Sequence, residues 1–266
     1  MRTYWHIFNL GLQSALVYRV NFFFRALFNL IPLLAAMTLW RAIYAGKSSQ
    51  IAGYTLAQML SYYLLVTIIE AATAVTEDEG QIASEIKDGQ ISQFLTRPLN
   101  YLPYRFCLFC SGRFAYTLAA LLPIVLFVLC QRQYLLPPAD LICGVVFALS
   151  LFLAALLQFL LSYLTALLAF WVLEISSFSF ILLAFERLAS GQMFPLDILP
   201  PALAKAVMWT PFPYCSFFPA SLYMGRAGGA SLLHGTLMQL FWVIALWTLA
   251  RQVWQRGLKT YTVVGG

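Results

Sequence analysis

The chain has 266 residues, 62% of them hydrophobic and only 10% charged, where soluble domains run at about 45–50% apolar and about 25% charged. Too few charges remain to coat a soluble core of that size, and a mean hydropathy of +0.80 agrees. These values exclude a soluble enzyme, a disordered chain and a disulfide-stapled secreted domain, and leave a polytopic membrane protein. Sixteen Lys and Arg against ten Asp and Glu give a net charge of +6. That excess fits positive-inside sorting and contact with anionic membrane lipid. No basic patch with interleaved aromatics occurs, so no nucleic-acid partner is expected.

Taken in chain order, residues 1–20 come first. Trp5, Phe8, Leu12 and Leu16 recur at helical spacing, with Arg2, His6, Asn9 and Gln13 on a polar stripe beside them. This predicts an amphipathic helix lying in the cytoplasmic interface, apolar face in lipid; the competing reading is a poorly ordered tail. Apolar runs of about 20 residues are the unit that crosses a bilayer as helix. Six fit: roughly 26–44, 53–75, 108–130, 141–171 (long for one untilted span), the short 175–190, and 232–249. The expected fold class is therefore all-α: a polytopic membrane protein of six transmembrane helices, forming one transmembrane domain over residues 1–266. Residues 250–266 read as a cytoplasmic tail. With six spans both termini share one side, and that side holds ten of the Lys and Arg against six on the other. Both termini are thus expected in the cytoplasm.

Three stretches between spans carry patterns. Residues 76–100 form the longest polar stretch, expected on the cytoplasmic side. Gln81, Glu85 and Asp88 fall at helical spacing with Ile82 and Ile86 opposite; Gly89 breaks the pattern, and Ile91, Phe94 and Leu95 cluster before Arg97 and Pro98. Two exposed apolar knobs beside charges would suit docking into a groove of another protein; the alternative is a loop folded onto its own bundle. Residues 191–225 hold Pro195, Pro200, Pro201, Pro211, Pro213 and Pro219 among apolar residues. They are too apolar for an ordinary loop and too broken for a span. Non-helical backbone at membrane depth needs protein or a water-filled cavity around it. This predicts a short fifth span followed by one or two short re-entrant helices on the outer side. The alternative is an external loop with an interfacial helix at 203–209. Glu186 and Arg187 sit inside the short fifth span. As neighbours they point in different directions, so each needs a partner from another helix or subunit. Glu70 and Glu174 map to span ends, where a charge is cheap.

Absences shape the rest. No G-x-x-x-x-G-K-(S/T) phosphate loop is present. The two His, His6 and His234, have no metal-ligand spacing, and no Ser stands in a G-x-S-x-G setting. Cys107 and Cys110 make a C-x-x-C with no second pair, better read as small apolar packing residues. The sequence thus predicts no catalytic residues, no bound metal and no cofactor on this chain.

Residues 85–98 are similar to the I-x-x-G-x-(I/L)-x-x-x-L-x-(K/R)-P segment after the second span of the ABC-2 superfamily of transporter permeases. Residues 191–201 resemble the G-x-x-x-P-L-x-x-(L/F)-P after its fifth, and 257–266 the tail of one bacterial branch of compact members. The resemblance runs over nearly the whole chain. It implies a half-permease of the bacterial inner membrane, pairing with an identical or homologous second subunit and driven by cytoplasmic ABC ATPase subunits that hold the ATP and Mg. Glu85, Ile86, Asp88, Gly89, Ile91, Phe94, Leu95, Arg97 and Pro98 would then serve ATPase coupling, residues 1–16 a connector helix, and residues 191–213, with Gly191, Pro195, Pro200 and Pro211, an outer re-entrant gate. The alternative reading is a self-contained secondary carrier or channel.

Overall fold

Hydrocarbon offers no hydrogen bonds to backbone N–H and C=O groups, so a chain this apolar satisfies them within each segment, as helix. The computed structural model describes residues 2–46, 50–75, 78–96, 99–131, 141–172 and 174–261. Among them are eleven α-helices and no strand: α1 Arg2–Val17, α2 Arg19–Ala45, α3 Leu56–Thr73, α4 Asp78–Lys87, α5 Ile91–Leu95, α6 Tyr101–Cys130, α7 Leu141–Leu167, α8 Ser176–Ala189, α9 Pro201–Met208, α10 Phe217–Tyr223 and α11 Ala230–Thr260. The chain is an all-α polytopic membrane protein.

Among the described residues five helices are long and apolar enough to cross a bilayer: α2, α3, α6, α11 and the stretch Cys143–Phe170, in which a 3-10 turn extends α7. Side-chain bonds give their directions. Asn29 and Tyr116 meet partway along α2 and α6, and Arg41 and Gln131 meet near their C-terminal ends, so these two run parallel. Ser150 meets Gln239, and Phe170 meets Trp254, so α7 and α11 also run parallel. Between the end of α7 and the start of α11 the chain must therefore cross back. The 14-residue α8 does so. At 1.5 Å per residue it covers about 21 Å, short of the roughly 30 Å core, and the irregular 190–200 segment carries the chain onward. The C-terminal end of α11 lies at the same end of the bundle as α4 and α5, with Trp254 on Tyr101 and Tyr261 beside Gly89.

α3 is the innermost helix. Its tyrosines, Thr67 and Glu70 turn toward protein, while α2, α6 and α11 expose outward stripes such as Phe28, Ile31, Leu122, Leu126, Phe241 and Ile244. A Thr55–Gln58 capping box starts it, closing two N–H groups that the first turn would leave open. α1 is helical as expected and packs antiparallel along α6, with Phe8 against Phe114, Gly11 beside Ser111 and Ile7 buried, while Trp5 and Leu16 stay exposed. Residues 250–260 of the expected tail are helical. α11 continues unbroken to Thr260, because Trp254 stacks on Tyr101 at 4.5 Å and Val253 and Leu258 pack on the core. Residues 262–266 lie outside the described residues.

Candidate functional site

At one end of the bundle, α4 and α5 form a bent pair. Gly89 joins them at φ +76°, a left-handed conformation that favours glycine. The pair does not present the expected apolar knobs. Ile82 and Ile86 are buried, as is Ile91, in the same core as the base of α7. The physical reason is area: each isoleucine left in water would forfeit about 2 kcal/mol, and α7 and its 3-10 turn offer apolar surface directly above. Phe94 is half-buried, its ring 5.0 Å from both Tyr101 and Tyr104. Of the apolar set only Leu95 projects, 49% exposed.

Glu85 is not an exposed acid awaiting a partner either. It accepts a 2.6 Å hydrogen bond from the Tyr101 hydroxyl and pairs at 2.5 Å with Arg105, itself 2% exposed. Arg105 Nε also donates to the Tyr101 oxygen at 3.1 Å. Tyr101 and Arg105, four apart on one face of α6, were the legible signal for this triad. Glu85 thus ties α4 to α6, and Tyr101 passes that tie to Trp254 of α11. Asp88 is exposed as expected, with Gln81, Ser84, Gln90 and Leu95 completing an open strip. Arg97 and Pro98 lie outside the described residues.

A cavity of about 650 Å³ runs between α2, α3, α6, α7 and α8. Its lining is unusually polar for this depth: Arg25, Asn29, Glu70, Arg113, Gln158, Glu186 and Arg187. Glu186 is buried and accepts a 2.5 Å hydrogen bond from Gln158 Nε2 of α7, so its partner does come from another helix. Arg187 turns to the exposed side and lines the same cavity as Glu70. The Arg113 guanidinium sits 5.0 Å over the Tyr116 ring. Glu79 of α4 accepts from Ser179 of α8, closing the cavity toward α4. Glu174, beyond the end of α7, accepts from the Ser176 hydroxyl and N–H. Those two bonds hold its carboxyl below the usual range, which anchors the first turn of α8.

At the opposite end, residues 191–225 fold into two short α-helices joined by turns. α9 is an exposed surface helix, with Leu203 and Trp209 facing outward. α10 is buried nearly end to end and packs against α3 and α7. Pro195, Pro200 and Pro211 stand just before the turns and helices that follow them, where a missing N–H costs nothing. Tyr62 donates to the Gly191 carbonyl at 2.6 Å, Tyr63 to the Met193 carbonyl, and the Phe217 N–H to the Ser190 carbonyl at 2.9 Å. Gln239, fully buried on α11, holds the carbonyls of Tyr214 and Ser150 at 2.9 Å each. Tyr54 donates to Asp197 at 2.7 Å, and Arg226 stacks 3.7 Å over the Tyr54 ring while bonding the Gly53 carbonyl at 3.1 Å. Burial and the Asp197 bond push the Tyr54 hydroxyl well up, so it stays a neutral donor. None of these tyrosines was singled out from sequence, since a tyrosine in an apolar run looks the same whether it faces lipid or a carbonyl.

The model of the family described as ABC-2 family transporter protein matches residues 30–265. No curated protein is similar in sequence to the chain. The family match spans α2 to α11, so it takes in the α4–α5 pair, the polar cavity and the folded 191–225 segment together. The chain belongs to the ABC-2 transporter family: it is a multi-pass membrane protein, the permease component of an ABC transporter that works with ABC ATPase subunits.

Proposed function

We propose that the chain is one half of an export permease in a bacterial inner membrane, with both termini in the cytoplasm. Two copies, or this chain and a homologue, enclose the pathway, and α4–α5 takes up the motion of ATPase subunits that carry the ATP and Mg. α1 serves as the connector helix, and residues 191–225 as the outer gate. The observation that carries the coupling reading is the fastening of α4–α5. Ile82, Ile86 and Ile91 join it to α7, and Glu85 to α6. A push on this pair is therefore delivered to two crossing helices at once. The export direction rests on the likeness of residues 85–98 and 191–201 to export-type permeases. A second subunit covering the polar cavity is supported by cost: charges such as Arg187 are expensive against lipid and cheap against protein or water.

The exposed strip defines the test. Leu95→Asp is expected to release the ATPase in detergent pull-downs and abolish transport while the subunit still inserts, because apolar anchors at an interface commonly carry about 2 kcal/mol. Asp88→Ala is expected to give a milder, salt-dependent weakening, as exposed charges do. Phe94→Ala acts on the fold through Tyr101 and Tyr104, and is expected to lower thermal stability as well as retention. Unchanged ATPase retention in Leu95→Asp would place the contact elsewhere.

Orientation has its own test. In a background lacking the five native cysteines, a single cysteine at Lys205 is expected to react with an impermeant thiol reagent added outside whole cells. Cysteines at Lys87 and Lys259 are expected to stay unreacted. Labelling at Lys87 from outside would overturn both the orientation and the coupling role. Lys47 and Arg132, expected on the outer side, lie outside the described residues.

A further inference from the structure

The inward packing of α10 leaves a second cavity between it, α9 and the first turns of α11. Its volume is about 470 Å³, within the range of small-molecule sites, and it shares no lining residue with the cavity between α2 and α8. The walls are apolar and aromatic: Met208, Trp209, Tyr214, Phe217, Phe218 and Met238. Set in that wall is Ser221, 6% exposed, whose hydroxyl has no hydrogen-bond partner among the described residues. A helical serine commonly bonds back to the preceding turn; here the oxygen is left for something else.

Two cations, Lys205 and Arg226, line the mouth with one acid, Asp197, and His234 is in the same lining. Asp197 is already engaged, accepting from Tyr54 and lying 3.6 Å from Arg226. Arg226 is held in turn by the Gly53 and Ala52 carbonyls and the Tyr54 ring. Lys205 has no ion-pair partner among the described residues. Leu233 and Leu237 are exposed on the adjoining surface of α11, so the mouth adjoins a membrane-facing stripe.

We propose that this cavity binds an amphiphilic anion. The ligand class is a carboxylate or phosphate amphiphile, with one acyl chain among the aromatic side chains, one polar atom on Ser221 Oγ and its head at Lys205. The occupant comes either from the membrane itself or from free amphiphile. The inference stands beside the transport reading and does not depend on it.

The experiment uses the full chain in phosphatidylcholine nanodiscs and dodecyl phosphate bearing a mid-chain diazirine, with photolabelled residues mapped by mass spectrometry. Labelling is expected to concentrate on Trp209, Phe218 and Met238. Unlabelled dodecyl phosphate should displace the probe at concentrations at least about tenfold below those needed for dodecyltrimethylammonium. Ser221→Ala, a change the helix tolerates, should weaken binding about three- to tenfold, the worth of one hydrogen bond. Lys205→Gln should weaken it about threefold and remove most of its salt dependence. Discs containing phosphatidylglycerol distinguish the source: reduced labelling identifies membrane lipid as the occupant, and unchanged labelling a free amphiphile. The proposal is overturned by labelling no stronger than at lipid-facing Leu121 and Leu126, by equal displacement with the cation, or by unchanged affinity in the Ser221→Ala, Lys205→Gln double variant. None of these readouts needs transport or ATP hydrolysis, so their failure leaves the coupling reading standing.

Discussion

Replacing Glu85 with alanine is expected to destabilise the subunit by about 3 kcal/mol, seen as a lowered unfolding midpoint in detergent. Removing one member of a buried ion pair leaves the other without compensation, and such losses run at about 3–5 kcal/mol; partial exposure of Glu85 places this one at the lower end. The stranded group is Arg105, 2% exposed at the base of α6. The Tyr101 hydroxyl loses its acceptor in the same stroke. This effect exceeds what an exposed acid at the rim of a partner groove would give, which is small and salt-dependent. A double variant distinguishes the two. If Glu85 acts through Arg105, Glu85→Ala combined with Arg105→Met is expected to recover much of the lost stability, since the uncompensated charge has gone. Equal losses in single and double variants would mean that Glu85 acts on something other than Arg105. The recovered double variant is further expected to insert normally yet respond weakly to the ATPase, because α4 would then have lost its polar tie to α6.

The second large effect is at Gly191. It adopts φ +83°, and a Cβ built there would lie 2.6 Å from the Tyr62 hydroxyl and 2.9 Å from Phe217 Cβ. Gly191→Leu combines left-handed strain of about 1–2 kcal/mol, loss of the Tyr62 bond at about 1 kcal/mol and overpacking of about 1–3 kcal/mol. The expected sum is on the order of 3–6 kcal/mol, enough to impair assembly of the outer segment as well as transport. From the sequence, a glycine that merely lets a short helix end would cost transport and spare assembly. The structure replaces that expectation, because the backbone of residue 191 touches α3 and α10 directly. Gly191→Ala should show the same defect at reduced size, with Tyr62→Phe alone costing about 1 kcal/mol. Normal assembly of Gly191→Leu would mean that Tyr62 and Phe217 are free to move away.

Much of the architecture was legible in the sequence for a physical reason: a segment that must satisfy its own backbone in hydrocarbon advertises itself by length and apolarity alone. The long helices α2, α3, α6, α7 and α11, the short α8, the amphipathic α1 and the proline-broken segment after Gly191 were all visible that way. Gly89 and Gly191 were visible because only glycine enters the left-handed region cheaply. What needed the tertiary structure was the facing of each helix. A periodic stripe tells which residues share a side, and not whether lipid, another helix or another protein covers it. Ile82 and Ile86 share one side of α4 in either case, and only the apolar base of α7 above them decided that this side is closed. The same holds for charge: Glu85 read alone is a surface acid, and becomes a structural tie once α6 brings Arg105 and Tyr101 beside it. Glu186 with Gln158, Tyr62 with Gly191 and Gln239 with Tyr214 are pairs separated by 28, 129 and 25 residues. Local periodicity says nothing over such distances; the packing of α3, α7, α8 and α11 alone determined those partners.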